Sequence, residues 1–186
     1  KRDKHIQRIK KSVNNLNDIL EDFLSLGKLN EGKLETLLEE INLGELIADT
    51  LDEMKAIIKK DQYCELELRK DCNGFTDKKL FRNIIINLVS NAVKFSEEGA
   101  KIVIRGNVKD GLASISVIDQ GIGISDNDKG HLFSSFFRAA NATNIQGTGL
   151  GLHIVKRYVD LLGGEVSVES ELNKGTTVNF TIPVKK

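Results

Sequence analysis

The sequence predicts an α+β fold, a two-layer sandwich of a mixed sheet with three helices on one face, preceded by a long N-terminal helix. Three patterns lead there. Apolar residues step three and four apart through Ile6, Ile9, Val13, Leu16, Leu20 and Phe23. Three later stretches repeat helical apolar spacing, and several short alternating stretches are joined by turn residues. The N-terminal helix carries one apolar seam among Lys, Asn, Asp and Gln, and a lone helix of that kind needs a partner. That partner is either its own domain or the other half of a dimerisation bundle. Gly27 and Gly32 bracket its expected stop. Residues 35–41 read as a short strand, and 43–60 as a helix carrying Leu46, Ile47, Leu51, Met54, Ile57 and Ile58. Alternation at Cys64-Glu65-Leu66-Glu67-Leu68 marks a half-buried strand. Asp77 stands where an N-cap would open the apolar helix of 78–95. Strands follow at 100–108 and 112–118, with Asp110-Gly111 as their hairpin turn. The glycine- and asparagine-rich stretch 120–151 leaves room for one short helix, and a loop that long is a lid, a binding loop or a disordered segment. A helix at 150–162 and strands near 164–170 and 176–182, turned by Asn173-Lys174-Gly175, complete the chain.

Composition narrows the function classes. The 186 residues are 40% apolar and 29% charged, as in a soluble globular protein. Lys+Arg and Asp+Glu each total 27, so no net charge draws the chain toward nucleic acid or an anionic membrane. Cys64 and Cys72 are too few for a disulfide framework and lack zinc-ligand spacing, which points to reduced thiols and a cytoplasmic setting. No apolar stretch approaches the roughly 20 residues of a membrane span, and no direct membrane contact is expected of this chain. Lys1 opens inside a helical pattern, so an internal cut of a longer parent, itself membrane-anchored or not, is expected.

Three residue groups carry chemistry. Asn87, Asn91 and Lys94 share one face of an otherwise apolar helix. They either satisfy neighbouring backbone and water, or line a ligand, with amide oxygen suited to Mg²⁺ and ammonium to phosphate. Asp119-Gln120-Gly121-Ile122-Gly123 follows the strand Ile115–Ile118. It is a plain turn or a carboxylate placed to accept a hydrogen bond from an exocyclic amine. Gly147-Thr148-Gly149-Leu150-Gly151 opens a helix whose N-terminal amides suit phosphate oxygens, or else forms a flexible hinge. It matches neither the Walker loop nor the dinucleotide fingerprint. Between the glycine clusters, Phe133-Ser134-Ser135-Phe136-Phe137-Arg138 supplies loop anchors and one guanidinium, either solvated or placed on a phosphate.

The order of these groups resembles the catalytic ATP-binding domain of sensor histidine kinases, in the superfamily that includes gyrase, Hsp90 and MutL. The likeness covers about residues 36–184. Residues 87–96 resemble that family's N box, Asp119 to Gly123 its first glycine box, Phe133 to Arg138 its F box and Gly147 to Gly151 its second glycine box. The resemblance implies two parts, residues 1–32 as the second helix of a dimerisation and phosphotransfer domain and residues 33–186 as the catalytic ATP-binding domain. It implies Asn91 as the Mg²⁺ ligand, Asn87 placing the triphosphate and Lys94 contacting phosphate. It implies Asp119 on the adenine amine, with Gly121 and Gly123 admitting the base and Thr176 beside the pocket. Gly147, Thr148, Gly149, Leu150 and Gly151 would close over the phosphates, and Arg138 would stabilise the transferring group.

The implied activity is transfer of the ATP γ-phosphoryl group to a histidine, then onward to a response-regulator receiver domain, in a parent that is a homodimer through its helical bundle. No histidine here matches the phosphoacceptor. His5 is followed by Ile6 and Gln7, and His131 and His153 fall in the lid region and the last large helix, where ordinary structural roles are expected. An anti-sigma-type serine kinase and a non-catalytic scaffold are the alternatives. The seam at 6–23 argues against the first, and the intact Asn91, Asp119 and glycine boxes against the second.

Overall fold

Turn chemistry and alternation set the sheet. The computed structural model describes residues 36–68 and 72–185, together with Leu20, Leu24 and Gly27. The strands are β1 (Leu38–Asn42), β2 (Tyr63–Leu68), β3 (Asn73–Asp77), β4 (Lys101–Lys109), β5 (Leu112–Asp119), β6 (Glu165–Glu171) and β7 (Gly175–Pro183). The helices are α1 (Leu43–Glu53), α2 (Lys78–Phe95), the single turn α3 (Asp126–Lys129) and α4 (Gly151–Leu161). Asp110 and Gly111 both take positive φ, 53° and 76°, the mirror-image turn that joins twisted strands, and β4 pairs antiparallel with β5 across it. β2 lies parallel to β4, so the five-stranded sheet, ordered β2-β4-β5-β7-β6, is mixed.

One face of that sheet is apolar. Ile102, Ile104, Ala113, Ile115, Val117, Val178, Phe180 and Ile182 are buried there, and the helices contribute Ile47, Phe81, Ile85, Val89, Val155 and Val159 to the same core. Phe81 meets Phe180 edge-on, with ring centroids 6.0 Å apart. The other face is polar: Arg105 Nε donates to Glu67 at 2.7 Å, and Ser116 Oγ to Asn179 Oδ1 at 2.6 Å.

Two expectations change. The helix expected over 43–60 ends at Glu53, and a 3₁₀ turn spans Met54–Ile57. The chain must reverse there to enter β2. Asp61 takes φ 59° and Gln62 N–H closes on the Lys59 carbonyl at 3.1 Å, so apolar spacing continues beyond the end of the helix. The short strand β3 is additional. It pairs antiparallel with β1 in a separate two-stranded sheet, and its sequence Asn-Gly-Phe-Thr-Asp has too little alternation to announce a strand. The strand expected over 35–41 falls at 38–42. The chain divides into two compact units, Lys1–Glu35 and Thr36–Lys186. Most of the heptad seam and the expected boundary after residue 32 lie outside the described residues. Gly27, expected near the helix stop, is still helical. Among the described residues no helix is long and apolar enough to cross a membrane.

Candidate nucleotide site

The site begins with the cap of α2. Asp77 Oδ1 accepts from Leu80 N–H and Oδ2 from Leu37 N–H, both at 2.9 Å, which anchors the start of the helix. Burial of Leu80, Phe81, Ile84, Ile85, Leu88, Val89, Ala92 and Val93 then leaves Asn87, Asn91 and Lys94 half-buried on the opposite stripe. Asn87 Nδ2 donates to the Asn83 carbonyl at 2.9 Å, which leaves its amide oxygen for another donor.

The second glycine cluster comes to this stripe. A methyl placed on Gly151 would lie 3.2 Å from Asn87 Oδ1 and 3.5 Å from Asn91 Nδ2, and one on Gly147 would overlap Lys94 Nζ. Gly151 is the first residue of α4, and no side chain caps that helix at Leu150. Its N-terminal amides and dipole therefore face the region of both asparagines, an arrangement suited to phosphate oxygens. Leu150 itself is buried, and its N–H donates to Thr148 Oγ1 at 3.1 Å, so these two residues anchor the loop.

Asp119 ends β5 and supplies the other corner. Its Oδ1 accepts from Gly121 N–H at 2.8 Å. Burial pushes its carboxyl up to about 6, against the opposing effect of backbone N–H groups from Gly121 and Thr176. A carboxylate this poorly solvated, with no cation bonded to it among the described residues, is held ready for a donor. Gly121 packs on the end of α2, where a methyl would stand 2.6 Å from the Phe95 carbonyl, and Ile122 N–H donates to that same oxygen at 3.2 Å. Gly123 takes φ +64° against the Glu171 backbone, a conformation and a space that only glycine fits.

The residues expected at the site thus form two corners joined by the end of α2: Asn87, Asn91, Lys94, Gly147 and Gly151 at one, Asp119, Gly121, Gly123 and Thr176 at the other. Gly149 does not face the asparagines; it sits against Phe136 and Phe137, with φ +76°. Arg138 is exposed, and its guanidinium donates to the carbonyls of Ala142, Thr143 and Ile145 at 2.9, 3.0 and 2.6 Å, so it shapes its own loop. His153 Nδ1 bonds the Phe133 carbonyl at 2.8 Å and His131 packs against Phe137, while His5 lies outside the described residues. Two contributors escape sequence reasoning. Ser170 Oγ accepts from Ile124 N–H at 2.9 Å and lies 2.9 Å from Thr176 Oγ1, and Asn141 Nδ2 donates to the Gly123 carbonyl at 2.8 Å. Nothing in their local sequence separates them from any strand serine or loop asparagine.

Comparison with known proteins gives the family. Residues 76–186 match the family of histidine kinase-, DNA gyrase B- and HSP90-like ATPases. The autoinducer 2 sensor kinase/phosphatase LuxQ of Vibrio vulnificus is 34% identical over 179 residues, covering 90% of this chain and 21% of LuxQ. The chain therefore spans about a fifth of that relative's length. The solved catalytic domain of histidine kinase ThkA is 30% identical, with a TM-score of 0.68 over 82% of this chain and 97% of that one. ThkA in complex with the response regulator TrrA is 25% identical, with a TM-score of 0.73 over 97% of this chain and 51% of that one. With the site's two corners in place and these matches across it, the chain belongs to the histidine kinase-, gyrase B- and HSP90-like ATPases and carries the nucleotide-binding catalytic domain of a histidine kinase.

Proposed function

We propose that this chain binds Mg-ATP between α2 and the N-terminus of α4, and that in its parent it directs the γ-phosphoryl group to a histidine on another helix. The observation that carries this is the meeting of Asn87, Asn91 and Lys94 with Gly147 and Gly151, with the half-buried Asp119 held beside the end of the same helix through Gly121. Phosphoryl transfer depends on positioning and charge neutralisation more than on covalent work by the protein. In this reading Asp119 accepts a hydrogen bond from the adenine amine, and Gly121 and Gly123 let the base approach. Thr176 orients the Asp119 carboxylate through its N–H. Lys94 and the uncapped amides of α4 neutralise phosphate charge, and Asn87 orients the triphosphate. The segment from Gly147 to Gly151, with Thr148 and Leu150 as anchors, covers it.

The donor set fits magnesium. Among the described residues no cluster of three acidic, histidine or cysteine side chains forms a protein cage. Amide oxygen at Asn91, completed by phosphate and water, is the hard, sparsely protein-ligated set that Mg²⁺ accepts. The ion would neutralise charge on the phosphates. Arg138 is assigned to ordering the 142–145 loop, with the transferring phosphate as its second target once that loop moves.

The parent is read as a dimer through its helical bundle, with a response-regulator receiver domain as its phosphoryl acceptor. The ThkA–TrrA complex supports that pairing. Calorimetric titration with a non-hydrolysable ATP analogue tests the core of the reading. Saturable binding near one site per chain is expected, strengthened by Mg²⁺, with the Mg²⁺ effect lost in Asn91→Ala. Absence of binding at millimolar analogue by folded protein overturns it in favour of a non-catalytic scaffold.

A further inference from the structure

The C-terminal end of α2 is held from outside the nucleotide site. Helices end with carbonyls that lack intrahelical partners, and here those carbonyls are accounted for from Ala92 to Glu97. Ala92 O accepts from Ser96 N–H at 3.1 Å. Lys59 Nζ donates to the carbonyls of Lys94 at 2.9 Å and Ser96 at 2.6 Å. Gln62 Nε2 donates to those of Val93, Ser96 and Glu97 at 3.2, 3.3 and 2.7 Å. The Phe95 carbonyl, which neither side chain reaches, accepts from Ile122 N–H of the first glycine loop. Gln62 is 7% exposed, and its Oε1 accepts from Lys59 N–H at 3.0 Å, so the two side chains form one unit. Gly99 N–H donates to the Lys60 carbonyl at 3.0 Å and ties the same turn to the chain beyond α2.

We infer that Lys59 and Gln62 are positioning residues for nucleotide binding: they fix the helix end from which Lys94 reaches Gly147 and on which Gly121 and Ile122 rest. The inference rests on the proposed function above. A cation at a helix C-terminus also complements its dipole. Removing Lys59 takes a donor from the carbonyls of Lys94 and Ser96, and removing Gln62 takes one from those of Val93, Ser96 and Glu97, so the backbone of residues 93–97 shifts to find new donors. That shift moves the phosphate-side lysine and the shelf under the glycine loop together.

The test is titration of Lys59→Met and Gln62→Met with a non-hydrolysable ATP analogue, at a temperature far below unfolding. Affinity is expected to fall about three- to tenfold and to return within about twofold of wild type in Lys59→Arg, which restores a cationic donor. Ile104→Val, a core change matched for loss of melting temperature, is expected to keep wild-type affinity. Lowered stability alone does not weaken binding by protein that remains folded. Affinities of both methionine variants within about twofold of wild type overturn the inference, as does an equal loss in Ile104→Val. Should the methionine variants fail to fold, hydrogen exchange on the wild-type chain decides. Analogue binding should then slow exchange at Gln62 and Gly99, and no change there overturns the inference. Failure of the wild-type chain to bind defeats the proposed function itself, a result distinct from these.

Discussion

Asp119 is a residue kept at a cost. Burial holds its carboxyl near 6 where an ordinary aspartate titrates near 3.8, so the folded chain binds this proton more tightly than the unfolded one. The sign follows: its contribution favours the fold below the unfolded value and is lost as pH rises through about 6. At neutral pH the penalty is on the order of 2 kcal/mol. Asp119→Asn should therefore raise the melting temperature of the nucleotide-free protein and flatten its decline between acid and neutral pH. The same change should weaken ATP-analogue binding by about 1–3 kcal/mol, because an amide is the poorer acceptor for an amine. Wild-type affinity should decline as the carboxylate protonates below about pH 6. Melts and titrations across that range check all three, and a variant that is both less stable and equally tight would remove the adenine assignment. Asp119 was legible in the sequence because an acid closed an apolar strand ahead of two glycines. Lys59 and Gln62 were not, because the carbonyls they hold lie 31 to 37 residues away and backbone carbonyls leave no mark in side-chain patterns.

Helix α2 shows what element-scale reading captures. Its apolar face, its polar stripe and its Asp77 cap were all legible, because capping and a 3.6-residue period are local. Asp77 does more than cap. Its second oxygen holds Leu37 N–H ahead of β1, so Asp77→Ala should cost about 1–2 kcal/mol or somewhat more in a urea denaturation series. The C-terminal end of α1 is not legible in the sequence because Met54 and Ile57 continue the apolar spacing into a 3₁₀ turn. Strand β3 leaves no local signal because pairing with β1, not its own composition, makes it a strand. At the glycine loop, Gly121→Ala places a methyl 2.6 Å from the Phe95 carbonyl and 2.7 Å from Asp119 Oδ1. The loop must lift off the end of α2 to accommodate it. Nucleotide binding is expected to fall by tenfold or more, on the order of 1.4 kcal/mol at least, with a smaller loss of melting temperature. A titration that shows unchanged affinity would place the base elsewhere.

At the scale of the whole molecule, every residue assigned to touch the nucleotide lies between Asn87 and Thr176, and Lys59 and Gln62 that position them lie in the same unit, Thr36–Lys186. That unit has its own core, built from the apolar sheet face and the helices α1, α2 and α4. Its 151 residues exceed the size at which a single core sustains independent folding. A chain cut to residues 36–186 should therefore unfold cooperatively and bind the ATP analogue within about twofold of the 186-residue chain. Analogue in excess should raise its melting temperature, because a ligand that binds only the folded state stabilises it in proportion to RT ln(1 + [L]/Kd). Equal affinity in the two chains would assign binding wholly to this unit and leave the heptad seam of residues 6–23 to assembly. A large loss on truncation would instead mean that the first unit contributes to the bound state, and the seam would then belong to the catalytic domain rather than to a bundle.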